Sequence, residues 1–326
     1  MLPQLERQYL QANLSQVQAL LADCTPDEDP IGHHQYSQLV DELKIKLTGI
    51  SDVVAKAPAG VALFFGGRPV IGSHGIQAEF GSKILDRFQK IVSQRYASTE
   101  TGPLATKGRL PFKDNTHLLI TDVVRGSFGF VLQAAQDDAS DETDTSLKAV
   151  VDNVASTISR VAAQDDMLFD EAVSEIDERQ KNSLSEFFKL LDTEGATMRI
   201  VEGERDFELD QASVQRARGR VEGLQISEKN QELTGLIVGW SDVSAKFELK
   251  LHGSLDIVQG TVSRAELERV EAEGLETYHK HLRASVKVRE VKAKNRAPKL
   301  SYTLMSLEVI SVPPGWQQAP SQSVIQ

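Results

Sequence analysis

The chain has 326 residues, a net charge of −11 and a pI near 5.2, with 40% apolar and 25% charged residues. That length divides into two or three globular domains, and the composition excludes a disordered chain. Its one cysteine, Cys24, excludes an internal disulfide framework and zinc ribbons and fits a reducing cytoplasm. No stretch approaches the roughly 18 apolar residues of a membrane helix, and the first residues lack the apolar core of an export signal.

In chain order, residues 1–50 are expected to form two amphipathic helices. Leu5, Tyr9, Val17, Leu20 and Leu21 are inward on the first. The second runs from about Ser37, with Leu39, Val40, Leu43 and Leu47 inward and a stop near Gly49. The period then changes. Val61-Ala-Leu-Phe-Phe65, Gly66-Gly67 and Arg68-Pro-Val-Ile71 form a strand, a turn and a returning edge strand. A helix opens near Ile76, carrying Phe80, Ile84, Phe88 and Ile91 on one stripe. Residues 98–115 are a loop, and a second hairpin pairs His117–Val124 with Phe128–Leu132. Residues 1–135 are therefore expected as an α+β domain with a small antiparallel sheet.

Residues 136–145 hold five acids and no base and are expected as a solvated linker. A central helix pair follows within a region spanning 146–220. Leu147, Val150, Val151, Val154, Ile158 and Val161 mark its first helix. One long helix from Met167 to Leu191 follows and is stopped by Gly195. A hairpin over Met198–Val201 and Asp206–Leu209 leads to a short basic helix carrying Arg216, Arg218 and Arg220. The tail, 313–326, is expected to be loosely attached.

The third region, 221–312, shows three strands, a helix and two strands. Leu233–Trp240 is the first strand. Lys246–Leu251 alternates, with Phe247, Leu249 and Leu251 inward, and Leu255–Val262 is the third strand. Ser263-Arg-Ala-Glu266 reads as a capping box opening a helix that ends at Gly274. Strands over Leu282–Lys292 and Leu300–Val309 complete the set. This is the element order of a five-stranded OB-like β-barrel with one helix; an SH3-like barrel with an inserted helix is the rival. Glycines 235, 239 and 260 fit the sharp bends of a small barrel, and a slip in apolar parity between Leu304 and Leu307 fits a bulge.

That architecture directs attention to the face of its second and third strands and to its fourth-to-fifth loop. From Lys280 to Lys299 there are eight bases and one acid, Glu290. Lys292, Lys294, Arg296 and Lys299 on the loop, Lys246 and Lys250 on the second strand, and Trp240 as a stacking ring are the candidate binding residues. Basic charge without further exposed aromatics is thin support for single-strand binding, which relies on stacking. Tyr278 is the other ring considered free.

Weaker patterns point to bland roles. Asp242, Glu248 and Lys250 resemble a nuclease's acid…Glu-x-Lys set, but their spacing is short and strand faces carry such charges. Ser73 and His74 offer a nucleophile and a base, yet Ser73 reads more simply as a helix N-cap, and no nucleophile elbow or phosphate loop occurs. His33-His34, and His279 with His281, lack metal-ligand spacing. No catalytic residue, metal ligand or cofactor is assigned.

The leading functional expectation is a non-catalytic cytoplasmic adaptor or regulatory protein that binds another macromolecule, with a protein partner or self-association and no membrane. The alternative is a nucleic-acid-binding accessory protein acting through the barrel. An enzyme with a site assembled from distant residues is the third. Residues 220–312 carry 14 bases and 13 acids, which leaves −12 on the remainder, so repulsion from that remainder opposes nucleic-acid binding.

Overall fold

A computed structural model describes residues 3–27, 29–50, 59–102, 104–124, 128–134, 141–203, 205–254, 256–274, 277, 279–293 and 297–310. The chain is a mixed α+β protein. It divides into two compact units, one of residues 1–98 with 104–222, the other of 99–103 with 223 onward.

The first unit opens with α1 (Pro3–Asp23) and α2 (Pro30–Ile50). α2 begins earlier than the expected Ser37, because Pro30 suits a first helical position and Asp29 caps it by accepting the Gly32 N–H at 2.9 Å. The two helices close on Leu10, Val17, Val40 and Leu43. Tyr9, Leu20 and Leu39, expected inward, are exposed.

The sheet of this unit contains β1 (Gly60–Gly67), β4 (Leu118–Val124), β5 (Phe128–Ala134), β6 (Ala196–Glu202) and β7 (Arg205–Leu209), in the order β4-β5-β1-β6-β7. Every pairing in it is antiparallel. β1 is central. Gly60 to Phe65 are all buried, as a strand covered on both faces must be. Phe65 meets Phe80 edge-on at 5.6 Å on one face, while Ala62 and Phe64 pack with Leu5 on the other.

The expected Gly66-Gly67 hairpin does not form. Both glycines continue β1 opposite Thr197 and Ala196 of β6. A Cβ on Gly67, at φ +85°, would stand 2.2 Å from the Gly195 carbonyl oxygen, so the pair serves close backbone approach rather than a turn. Arg68 then donates to the Thr193 and Glu194 carbonyls at the end of a helix. Val70 and Ile71 form β2 (Val70–Ile71), which among the described residues pairs only with β3 (Gly75–Ile76). Ser73 sits in the turn between them, ahead of α3 (Ala78–Thr101), and is not that helix's cap.

Four helices complete the unit: α4 (Asp141–Ala162), α5 (Asp166–Ser174), α6 (Glu178–Glu194) and α7 (Gln211–Glu222). The apolar stripe expected on α4 is buried in full. Part of the expected acidic linker, Asp141 to Thr145, is the first turn of α4, and residues 135–140 lie outside the described residues. The long helix expected over 167–191 is two helices. Asp177 accepts the Gln180 N–H at 2.8 Å while the Gln180 side chain accepts the Asp177 N–H at 3.2 Å, a reciprocal box that starts α6 afresh. Gly195 ends α6 in the left-handed conformation, as expected. The arginines of α7 are tied locally. Arg216 and Arg220 donate to the Ala162 and Ala163 carbonyls after α4, and Arg218 pairs with Asp192 at 2.7 Å. Residues 146–220, expected as a region apart from 1–135, contribute β6 and β7 to the same sheet as β1.

The second unit holds β8 (Gln225–Ser241), β9 (Lys246–Leu251), β10 (Ile257–Val262), α8 (Arg264–Ala272), β11 (His281–Lys292) and β12 (Lys299–Val309). The five strands close in the order β10-β12-β11-β8-β9, with β10 and β12 parallel at Thr261↔Thr303 and Val262↔Leu304. Phe247, Leu249, Leu282, Val286 and Leu304 fill the interior. A Cβ on Gly260 would meet the Tyr302 carbonyl oxygen at 2.2 Å, and one on Gly235 the Lys250 carbonyl oxygen at 2.4 Å, so glycine is required where strands cross closely. The expected bulge is present. Ser285 opposes Ser306 and Val286 opposes Leu304, which leaves Met305 over.

The capping box at Ser263 is only half formed. Ser263 accepts the Glu266 N–H, but the Glu266 carboxylate turns to Arg269 and to the Leu307 N–H of β12, at 2.6 and 2.7 Å. A buried carboxylate thus ties the helix to the last strand. Among the described residues no helix is long and apolar enough to cross a membrane.

Candidate functional site

The alternation of β9 turns Lys246, Glu248 and Lys250 outward, opposite Thr261, Gln259 and Ile257 of β10. Both lysines are exposed. Between them Gln259 donates to Glu248 at 3.1 Å, so the middle of this face is satisfied internally. Trp240 opposes Phe247 and packs half-buried against the interior, with its indole N–H given to Asp242 at 2.5 Å. Its ring is turned toward the core and does not form an outward platform.

Lys292 opposes Gln225 at the end of β11, and Lys299 opposes Val291 at the start of β12; both are exposed. Lys294, Arg296 and Tyr278 lie outside the described residues. Lys250 opposes Leu236, so the rungs of the two lysine groups are separated by the β8 path from Gln225 to Leu236, about 35 Å of strand. The basic run is also partly compensated. Lys287 pairs with Glu228 at 2.8 Å, both largely buried.

Two titratable pairs were not legible in the sequence. His281 faces His252, with Nδ1 and Nε2 2.7 Å apart and the rings 4.9 Å apart. Burial, then the nearby His281, lowers the His252 pKa. The sequence pairs His281 with His279 by proximity, but His279 sits at φ 59° and gives its N–H to the Ile237 carbonyl. The second pair is Glu202, buried at the end of β6, with Asp152 of α4. Burial first, then a hydrogen bond and the charge of Asp152, pushes the Glu202 carboxyl up to about 8, against the opposing charges of Arg205 and Lys148. Among the described residues, no three of His, Cys, Asp and Glu gather as a metal site.

Strand β4 carries three exposed apolar side chains. It lies at the edge of the first sheet and, among the described residues, pairs only with β5. Leu119, Ile120 and Val123 on it are 52%, 53% and 45% exposed. The register, broken by a bulge between Ile120 and Asp122, puts Ile120 and Val123 on the same face as Leu132 and Phe130 of β5. Leu119 stands on the opposite face. The run Leu118-Leu-Ile-Thr-Asp-Val-Val124 reads as an ordinary half-buried strand, so nothing local in the sequence marks it as the exposed edge.

Comparison with family models, with curated proteins and with solved structures returns no match for this chain.

Proposed function

We propose that this is a non-catalytic adaptor or regulatory protein that binds another protein, and that the edge strand β4 is where the partner docks. The supporting observation is the exposure of Leu119, Ile120 and Val123 together on one seven-residue edge strand. Soluble proteins commonly blunt such edges with charge or proline, and an uncovered apolar edge is a template for an added strand. The occupant is an extended segment of the partner, adding main-chain hydrogen bonds to β4 and placing apolar side chains on both faces. The single cysteine and the acidic composition fit a cytoplasmic setting. The test is affinity capture from the native host with the full chain and with a Leu119→Lys, Ile120→Lys, Val123→Lys variant. These side chains are exposed, so the fold is expected to survive. A protein retained by the first and lost from the second supports the reading; identical retention by both refutes it.

The second reading concerns the C-terminal ring. We read it as an OB-like barrel, from its five strands, the helix between the third and fourth, and its one parallel contact. The exposure of Lys246, Lys250, Lys292 and Lys299 favours contact with a polyanion through it. Each phosphate contact on a single strand adds about −0.7 to the log–log salt slope of binding. A variant with Lys292, Lys294, Arg296 and Lys299 all changed to alanine separates the readings: loss of tight, salt-sensitive oligonucleotide binding favours the barrel.

A further inference from the structure

His252 and His281 come from the two strands that flank β8, and the backbone fixes both positions. His252 gives its N–H to the Thr234 carbonyl at 2.9 Å, and Leu251 closes the turn after β9 by donating to the Asp256 carbonyl at 3.0 Å. His281 opposes Leu236 of β8, the residue that Lys250 opposes from the other side, and its carbonyl accepts the Ile310 N–H at 2.9 Å. Both rings are half-buried.

The contact between the rings has one chemical reading. The ring centres are 4.9 Å apart, close to the 2.7 Å contact plus the two ring radii, so the nitrogens meet end-on and the rings do not stack. A neutral imidazole has one N–H and one bare nitrogen, and an imidazolium has two N–H groups. Nε2 of His252 and Nδ1 of His281 therefore make this hydrogen bond with one proton between them, whether the pair is neutral or carries a single charge. With both rings charged, each nitrogen brings a proton to the same 2.7 Å gap, and two like charges meet at half-buried positions. The contact then breaks.

The surroundings leave this logic in force. Lys250 lies on β9, Glu232 on β8 and Asp256 ahead of β10. His279 and Lys280 precede β11, and Arg283 of β11 lies 3.9 Å from Glu308 of β12. All of these are exposed, and Asp256 accepts the Ser254 hydroxyl. Water and salt screen exposed charges, so the charge that acts most strongly on either ring is the other ring. His252 accordingly binds a proton less readily than a free imidazole, first through burial and then through His281.

We propose that this pair is a one-proton latch, which holds the β9–β10 turn to the start of β11 while the rings share one bridging proton and releases the turn when acid charges both. The first added proton leaves the bond in place and the second ends it, so the two steps belong to the pair. The latch lies wholly within the second unit and does not depend on docking at β4.

The experiment is hydrogen–deuterium exchange on the full chain at several pH values from 7.5 to 5.0, each corrected for the intrinsic pH dependence of exchange. The peptide from Leu251 to Asp256 is expected to open about three- to tenfold more at pH 5.0, the range set by the loss of one hydrogen bond, while peptides of β1 and α4 keep their protection. His281→Asn places an amide where Nδ1 stands, able to donate or accept, and is expected to keep the turn closed at every pH. His281→Leu removes the contact and is expected to leave the turn open at every pH. Thermal melts at pH 7.5 show that both variants are folded. Protection of the native turn that stays constant down to pH 5.0 overturns the latch without any variant. A pH response in His281→Asn equal to the native one, or a turn in His281→Leu as protected as the native turn at pH 7.5, overturns it as well.

Discussion

At the scale of single residues, the side chains that depart most from solution behaviour are ones whose partners lie far away in the chain. Glu202 lies between the two strands of the expected hairpin, ahead of Gly203, yet the fold buries it against Asp152. Its carboxyl is pushed up to about 8 from 4.5, chiefly by burial. A raised carboxyl gives stability that is fully present below pH 4.5, and that stability is lost as the pH rises through about 8, because the unfolded chain ionises first. Glu202→Gln is expected to melt at the same temperature as the native chain near pH 4. Near pH 9 it should be more stable by about 2 kcal/mol. Melts recorded from pH 4 to 9 check this, and parallel curves for the two proteins would count against it. His252 and His281 teach the same lesson, since their 2.7 Å contact depends on how β9 and β11 are placed in the ring.

At the scale of elements, local chemistry was legible wherever it was self-contained. The stripe of α4, the alternation of β9, the stop at Gly195 and the bulge in β12 follow from patterns within a few residues. Reading failed where a residue served a distant strand. Gly66-Gly67 looks like a turn but permits the close approach of β6. The unbroken apolar run from Val61 to Phe65 was a usable sign of a central strand, since alternation is lost when both faces are covered. The break between α5 and α6 had a signal too, in Asp177 three residues before Gln180, although a continuous apolar stripe ran across it. Asp177 caps α6 and also holds the Leu104 N–H. Asp177→Ala is therefore expected to cost about 1–2 kcal/mol, the upper part of the usual range for a lost cap. It should also speed amide exchange over residues 104–109, as measured by hydrogen–deuterium exchange. Loss of stability without faster exchange there would show that the cap alone matters.

At the scale of the whole molecule, the strand-helix-strand order of the second unit was legible because its neighbours in space are mostly neighbours in sequence. Its interior is assembled from its own strands and from α8, and the buried Glu266 ties that helix to β12. A fragment of residues 223–310 is expected to unfold in one cooperative transition, with coincident circular dichroism and fluorescence curves. A fragment without a transition, where the full chain is folded, would contradict this. The sheet of the first unit was legible only in part, because β6 and β7 join β1 across a long stretch of helices. That same topology leaves β4 at the edge, and the run Leu118–Val124 carries no proline or other local sign that it ends the sheet. The proposed docking edge thus arises from long-range placement and from side chains of ordinary type.

The reading of β4 as a docking edge is tested most directly by hydrogen–deuterium exchange on the full chain, alone and saturated with the protein that affinity capture retains. An added strand gives hydrogen-bond partners to the open edge, so amides between Leu118 and Val124 are expected to slow on binding while those of β9 and β10 keep their rates. Unchanged exchange along β4, with slowing confined to the C-terminal ring, would contradict it.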